Sequence, residues 1–428
     1  MGNYGTNLHD ISRRDFIRTS AAVSLSAFTV TQGRAFAAGS DKIRVGLIGC
    51  GGRGTGAATD CVNSSEGVEI TAMGDLFSDH LDKSLAKLSR EVDDKVSVTK
   101  NNSFAGFDAY RKVIASDVDM IILGTPPQFR PLHLKAAIEA GKHVFMEKPV
   151  AVDPVGVRSI IETAKLAKQK GLAIVSGTQR RHQDHYIQIM KRIHDGAIGE
   201  IVSGQCYWMM GELWMKKKQP DWSDMEHQCR NWLYYTWLSG DHIVEQHVHN
   251  LDVINWAIGS HPVSCAGMGG RQVRTGPEYG NIFDHFSVEY EYANGARVFS
   301  MCRQTNGCEN RVSESVVGTN GSVFTSGSEG FIKGPNAYKY EGKSPNPYVQ
   351  EHKDLIASIR SGEPLNEGVQ VAESTLTAIM GRMSAYTGRA LNWDWVMKSS
   401  QLDLSPPSYE MGDLPVRPVA VPGKTKLV

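Results

Sequence analysis

Short apolar runs alternate with longer amphipathic stretches over the first part of the chain. IRVGLI at 43–48, VEITAMG at 68–74, MIIL at 120–123, VFME at 144–147 and LAIVS at 172–176 are β-branched or continuously apolar, as strands buried on both faces must be. Between them, 132–140 and 154 to about 170 carry helical spacing, the second opened by Asp153 as N-cap with Pro154 at the first helical position. Alternating strands and helices predict a doubly wound parallel sheet whose ligands lie beyond the carboxyl ends of the strands. Gly49, Asp75, Thr125, Lys148 and Thr178 all fall at such ends.

The pattern changes after residue 177. IVSGQCYWMM at 201–210, FSVEYEY at 286–292, ARVFSMCR at 296–303 and the run 312–317 alternate or are rich in β-branched residues, and Asn294-Gly295 marks a hairpin between the second and third. A mostly antiparallel sheet is expected, packed on one face and offering the other to a partner or substrate. Helical spacing returns at 348–360 and 368–386, in helices suited to packing back on the first domain. The expected organisation is a leader at 1–38, a parallel α/β domain at 41–177, a second domain with a mostly antiparallel sheet at 178–390, and an extension at 391–428. The extension is proline-rich from about residue 405 and should drape over the surface.

The leader reads as an export signal. Arg13-Arg14 precede Phe16, a moderately apolar stretch at 21–30, and the small-x-small cleavage signal Ala35-Phe36-Ala37. The apolar run is too short to span a membrane, and the paired arginines resemble a twin-arginine signal, which exports folded proteins to the periplasm. Folded export suits a protein that must complete its fold, with anything it holds tightly, in the cytoplasm.

Candidate chemistry begins at Gly49-Cys50-Gly51-Gly52-Arg53-Gly54, which follows the first strand and matches G-x-G-x-x-G. The glycines permit a tight turn and close backbone approach to a pyrophosphate, and the helix beginning near Thr55 aims free N–H groups at it. Asp75 closes the second strand, where a carboxylate accepts hydrogen bonds from the ribose hydroxyls and repels a 2′-phosphate, favouring NAD over NADP. Glu147-Lys148-Pro149 ends a later strand and places a lysine where the reactive end of that dinucleotide could lie. Residues 240–252 (GDHIVEQHVHNLD) read as a helix with Glu245, His249 and Asp252 on one face and His247 on another; a carboxylate one turn from a histidine can orient its ring to accept a proton. A metal site and a structural histidine cluster compete with this reading, but H-E-x-x-H is absent, and no catalytic metal is expected. Arg230 and Trp232, with Tyr234, Tyr235 and Trp237, suit either the stacking and hydrogen bonding of a sugar ring or a core or subunit interface.

Composition narrows the classes. The 428 residues are 41% hydrophobic, enough for two or three cores, and Lys plus Arg equals Asp plus Glu at 46 each, so no global field directs the chain to nucleic acid or an anionic membrane. Its seven cysteines form no C-x-x-C or zinc spacing and read as buried small residues.

The glycine turn, Glu147-Lys148-Pro149 and the glycine-led segment with Glu245 and His249 together resemble the glucose-fructose oxidoreductase, inositol dehydrogenase and rhizopine catabolism (Gfo/Idh/MocA) family over about residues 41–390. The resemblance implies an α/β fold, with an N-terminal Rossmann doubly wound parallel sheet and a C-terminal α/β domain carrying an open, mostly antiparallel sheet through which subunits associate. It implies NAD(P)-dependent hydride transfer at a secondary hydroxyl of a sugar, glycoside or cyclitol. Lys148 and His249 match the family's catalytic pair, Glu245 stands where its usual aspartate would be, and the Lys148–Pro149 bond is expected to be cis. Thr125, Pro126, Glu147, Gln179 and Arg180 then join the glycines, Arg53, Asp75 and Lys148 around the cofactor, with Arg230, Trp232, Tyr235, His247 and Asp252 toward the substrate. Two alternatives stay open: a redox-neutral NAD-dependent glycosidase, whose known branch lacks the E-K-P lysine, and a 3-keto-glycoside-forming enzyme. A non-catalytic sugar-binding protein is disfavoured by the presence of both Lys148 and His249.

Overall fold

The structure is a computed structural model and describes residues 42–428; the leader, with its paired arginines, lies outside the described residues. Six strands form the first sheet: β1 (Ile43–Ile48), β2 (Val68–Asp75), β3 (Ser103–Ala105), β4 (Met120–Leu123), β5 (His143–Met146) and β6 (Ile174–Ser176). All neighbours are parallel, in the order β3-β2-β1-β4-β5-β6. That is the dinucleotide-fold order expected for two mononucleotide-binding halves meeting at β1 and β4. Asp153 caps the helix Pro154–Lys170 as the sequence suggests, its Oδ1 accepting from the Gly156 N–H at 2.7 Å.

The second sheet has nine strands: β7 (Ile201–Met210), β8 (Pro262–Gly270), β9 (His285–Tyr292), β10 (Arg297–Gln304), β11 (Arg311–Gly318), β12 (Gly321–Ser326), β13 (Gly330–Lys333), β14 (Tyr338–Lys339) and β15 (Leu391–Asn392). Their order is β14-β13-β12-β11-β7-β10-β9-β8-β15, antiparallel throughout except between β7 and β10. The β9–β10 hairpin forms at Asn294-Gly295 with one more residue in its loop than a two-residue turn: Tyr292 and Ala296 pair across it, and Gly295 takes φ +83°. Sequence pattern alone did not reveal β8, because PVSCAGMGG is poor in strand formers. It pairs along most of β9 and lies over the helix Gly368–Thr387.

That helix joins the two halves. It packs against both the helix Pro154–Lys170 and β8, and the apolar core runs continuously from the first sheet through it to the second. At Gly381 a Cβ would lie 2.1 Å from the Tyr290 hydroxyl, so only glycine lets the helix approach β9 this closely. The helix Pro347–Ser361 turns back onto the first domain, packing on the helix Gly52–Ser64 that follows the glycine turn.

Charge fastens this return. His182 gives its two ring nitrogens to Asp354 (2.6 Å) and Glu367 (3.1 Å), and Glu367 also accepts from the Ser176 N–H at the end of β6 (2.8 Å). Burial opposes the imidazolium, but the two carboxylates outweigh it and raise the His182 pKa from 6.5 to about 9. A raised folded-state pKa contributes stability in full below the unfolded value and loses it as pH rises through the folded one. The difference in Tm between the wild type and His182→Gln is therefore expected to be largest near pH 6 and to shrink as pH passes about 9, as a thermal-melt series over that range will test.

Candidate active site

The glycine turn divides its work. Gly49 has φ +95°, and a Cβ there would sit 2.5 Å from the Thr125 nitrogen; one on Gly54 would sit 1.9 Å from the Gly49 carbonyl oxygen. These two glycines let β1, the helix Gly52–Ser64 and the loop after β4 close on one another. At Gly51 and Gly52 a Cβ would meet nothing within 4 Å. The open backbone surface thus lies at the N-terminus of a 13-residue helix, a cradle of the size and polarity that suits a pyrophosphate. Asp75 closes the turn from the side, accepting from the Cys50 N–H (2.6 Å) and the Phe77 N–H (2.9 Å), with His80 Nδ1 at 3.2 Å. A cleft of about 690 Å³ including its open mouth runs past Gly49, Gly51, Asp75, Thr125 and Pro126. These residues fit a dinucleotide.

The second domain supplies part of that cleft. The short helix Asp224–Arg230, capped by Ser223, is followed by Trp232, which lines the cleft beside Asp75. Arg230 donates to Glu226 (2.8 Å) and Asp79 (3.0 Å) and lies 3.8 Å over the Phe77 ring. Read from sequence, Arg230 and Trp232 suit either a sugar ring or a core or subunit interface; in the structure Arg230 meets Phe77 and Asp79, just past Asp75, and Trp232 lines the cleft. Tyr235 is buried with its hydroxyl 3.3 Å from His227 Nδ1, in an aromatic core. The C-terminal extension steadies this wall. Gln128 donates to Ser405 (2.9 Å) and Tyr409 (3.2 Å), and the Tyr409 ring lies 5.6 Å from that of Phe129, which lines the cleft.

At the other end, Glu147 pairs with Arg53 at 3.0 Å, tying the E-K-P strand to the glycine turn. The Lys148–Pro149 bond is cis. Lys148 Nζ donates to the Glu245 carbonyl oxygen (2.5 Å) and to its Oε1 (3.1 Å). An ammonium has three donors, so one is left for a ligand. Arg130, which sequence reasoning missed, holds the loops after β4 and β5 together by donating to the carbonyls of Thr125 (2.7 Å) and Pro149. Burial lowers its pKa to about 10 despite the nearby Glu147 and Glu245 carboxylates. Nothing in FRPLH marks that arginine in advance, because its partners are main-chain carbonyls.

The segment 240–252 is not one helix. It forms a single turn, His242–Glu245, and restarts at Val248–Ile258. Asp241 enters it at φ +72°, a conformation unfavourable for a residue with a Cβ, and is held there by donors from His242 N (2.6 Å), Phe283 N (2.7 Å) and the Tyr386 hydroxyl (2.6 Å). The break corrects the expected shared face: Glu245 turns to Lys148, while the His249 ring stacks on Trp208 at 5.7 Å between centroids and 18° between planes. His249 Nδ1 is buried without a hydrogen-bond partner. Burial, followed by the positive charges of Lys148 and Arg180, pushes the His249 pKa well below 6.5.

Other expected ligands are committed elsewhere. His247 is fully buried with Nε2 2.7 Å from Ser300 Oγ, and Asp252 accepts from Arg181 through both oxygens (2.8 and 2.9 Å). Arg180 donates to buried Glu314 (2.6 Å), which also receives Tyr186 (3.1 Å), Asn250 (2.6 Å) and Thr325 (2.7 Å). These pairs pin the segment after β6 to the second domain. Gln179 donates to the Tyr348 hydroxyl at 3.4 Å, and the Tyr348 ring lies under Arg53 at 5.0 Å.

Residues 43–178 match the model of an oxidoreductase family with an NAD-binding Rossmann fold, and residues 186–324 match the Gfo/Idh/MocA C-terminal domain. The chain belongs to the Gfo/Idh/MocA family. It is 23% identical over 248 residues to a glycosyl hydrolase family 109 protein of Shewanella baltica, a match covering 53% of this chain and 51% of the relative. It is 28% identical over 181 residues to the 2,7-anhydro-N-acetylneuraminate hydratase of Escherichia coli, covering 42% and 44%. The chain thus spans about half the length of these curated relatives. The aldose-aldose oxidoreductase of Caulobacter crescentus shares the fold, with TM-score 0.65 and 18% identity over 82% of this chain and 99% of that one.

Trp232 generates a test of the cleft. Trp232→Ala is expected to weaken binding of a nicotinamide dinucleotide about tenfold, the order of a lost aromatic wall, while leaving the thermal midpoint nearly unchanged. Nucleotide released from the purified protein and the Kd measured by nicotinamide fluorescence will check it.

Proposed function

We propose that this Gfo/Idh/MocA protein oxidises a secondary hydroxyl of a sugar, glycoside or cyclitol, using a nicotinamide dinucleotide that it holds tightly. The observation that carries this reading is the meeting of Lys148 and Glu245 with His249 nearby on the same short segment, at the ends of strands beyond a dinucleotide cradle. A bound nicotinamide supplies a two-electron acceptor for hydride. His249, neutral at ordinary pH, accepts the hydroxyl proton as the C–H bond on the same carbon is lost. The free donor of Lys148 hydrogen-bonds the same oxygen and stabilises its developing negative charge. Glu245 holds Lys148 through two oxygens and keeps that donor aimed. Asp75 lines the cleft at the end of β2, where a carboxylate accepts from ribose hydroxyls and repels a 2′-phosphate, which favours NAD over NADP. Export to the periplasm and association through the open sheet complete the reading; periplasmic fractionation and light scattering test them.

A second reading is favoured by the names of the relatives, a glycosyl hydrolase family 109 protein and a hydratase. In it, oxidation is transient: it acidifies a neighbouring C–H, elimination expels a substituent, water adds, and the hydride returns. The known branch of such glycosidases lacks the E-K-P lysine, so the presence of Lys148 weighs toward net oxidation, and the two readings differ in the net product. Glycosides incubated with NAD-loaded protein will decide between them: a lasting rise in reduced-nicotinamide absorbance with a keto product supports net oxidation, whereas cleaved glycoside without a rise supports the transient route.

Lys148→Met is expected to lower kcat at least a hundredfold while sparing NAD affinity. Unchanged turnover overturns the role of Lys148. Because the active form of His249 is neutral and its pKa is depressed, kcat/KM should hold as pH falls through 6.5, where an ordinary imidazole would be half protonated. A pH–rate profile with its acid limb at or above 6.5 would contradict this assignment.

A further inference from the structure

Gln246 stands apart from the segment that carries it. From Asp241 to Asn255 every other residue is buried, and Gln246 directly follows Glu245, whose carbonyl and carboxylate hold Lys148. Its Oε1 accepts from Gln304 Nε2 at 2.5 Å. Gln304, fully buried at the end of β10, accepts in turn through its Oε1 from Arg274 Nη1 at 2.5 Å. Arg274 is also fully buried and forms no ion pair among the described residues; its Nε and Nη2 have no hydrogen-bond partner.

The order of these contacts fixes their polarity. A guanidinium only donates, so it takes the oxygen of Gln304. The Gln304 nitrogen must then face Gln246, whose oxygen receives it. Flipping either amide sets donor against donor or acceptor against acceptor, which removes the usual ambiguity of an amide side chain. The uncommitted group at the outer, less buried end of the relay is the Gln246 NH2, and the buried guanidinium behind it strengthens it as a donor.

We propose that Gln246 reads the substrate: its NH2 donates to an acceptor oxygen on a ring substituent, so that the site prefers a hydroxyl, acyl carbonyl or carboxylate there and disfavours an ammonium. Arg274 and Gln304 are positioning residues that act through it. The proposal rests on the carbohydrate or cyclitol reading above and adds to it a selectivity that neither Lys148 nor His249 explains.

The test uses NAD-loaded full-length protein and two matched sets of methyl glucopyranosides, one with hydroxyl, carboxylate or ammonium at C6 and the other with hydroxyl, acetamido or ammonium at C2. Binding is measured by calorimetry, and KM and kcat from reduced nicotinamide and products. In at least one set the wild type should prefer the acceptor-bearing members to the ammonium. Gln246→Leu should raise their KM about tenfold with kcat within twofold, the size of one lost hydrogen bond. Gln304→Glu still satisfies Arg274 but cannot donate to Gln246, so the Gln246 oxygen turns outward and relative preference for the ammonium member should rise about tenfold, a reversal that a purely structural role would not produce. Unchanged KM in Gln246→Leu, or unchanged ranking in Gln304→Glu, overturns the relay and leaves the carbohydrate reading standing. Wild-type protein that neither binds nor converts any of these glycosides, nor free aldohexoses or inositols offered in the same assay, overturns the carbohydrate reading, and the substrate role of Gln246 with it.

Discussion

The contact between Lys148 and Glu245 is the constraint on which the site depends. Lys148 lies two residues past the end of β5 in the first sheet, and Glu245 ends a single helical turn of the second domain, 97 residues later. Both side chains are largely buried, at 13% and 12% exposure, so neither charge is fully hydrated and each relies on the other. Removing one partner would leave an uncompensated charge beside the reaction cleft. The pair also sets a direction: with two of its three donors on Glu245, Lys148 retains one, aimed by the protein rather than by solvent.

The surrounding structure holds the two ends of that contact in place. On one side, Arg130 clasps the carbonyls of Thr125 and Pro149, and Arg53 binds Glu147, so the loops after β1, β4 and β5 are tied to one another. On the other, Asp241 is kept at positive φ by donors from its neighbour His242, from Phe283 in the loop before β9 and from Tyr386 on the helix Gly368–Thr387, and the helix restarts only at Val248. Buried ion pairs such as Arg180–Glu314 and Arg181–Asp252 are weak evidence for net stability, because desolvation opposes the attraction. Their geometry nonetheless fixes how the segment after β6 meets the second domain, a matter of registry that apolar packing would leave looser.

The first sheet was nearly all legible in the amino-acid order, because strands buried on both faces must be short and apolar and the glycine turn has few uses in that setting. Four of the larger strands of the second sheet were legible for a related reason: one buried face imposes a period of two. The glycine-rich β8 and the short edge strands were not, since their pairing is decided by neighbours distant in sequence. Within the site, Gly49, Gly54, Asp75, Lys148 and His249 could be singled out from motif and spacing. Arg130, Trp208 and the relay from Arg274 to Gln246 could not, as each acts through a partner on another element.

The sequence by itself determined the class of fold, the dinucleotide cradle and the residue types available for proton transfer, because strand period, glycine freedom and strand-end position are local properties. Only the tertiary structure decided how those residues are used. The helical period assigned Glu245 to His249; the positive φ at Asp241 and the break before Val248 gave Glu245 to Lys148 and His249 to Trp208. The residue types left Arg230 and Trp232 between a sugar ring and a core or subunit interface; the fold packs Arg230 against Phe77 and Asp79 and sets Trp232 in the wall of the cleft. A side chain's chemistry is written in its own residue, but its partner is set by where the rest of the chain brings opposing charge, hydrogen-bonding capacity and space.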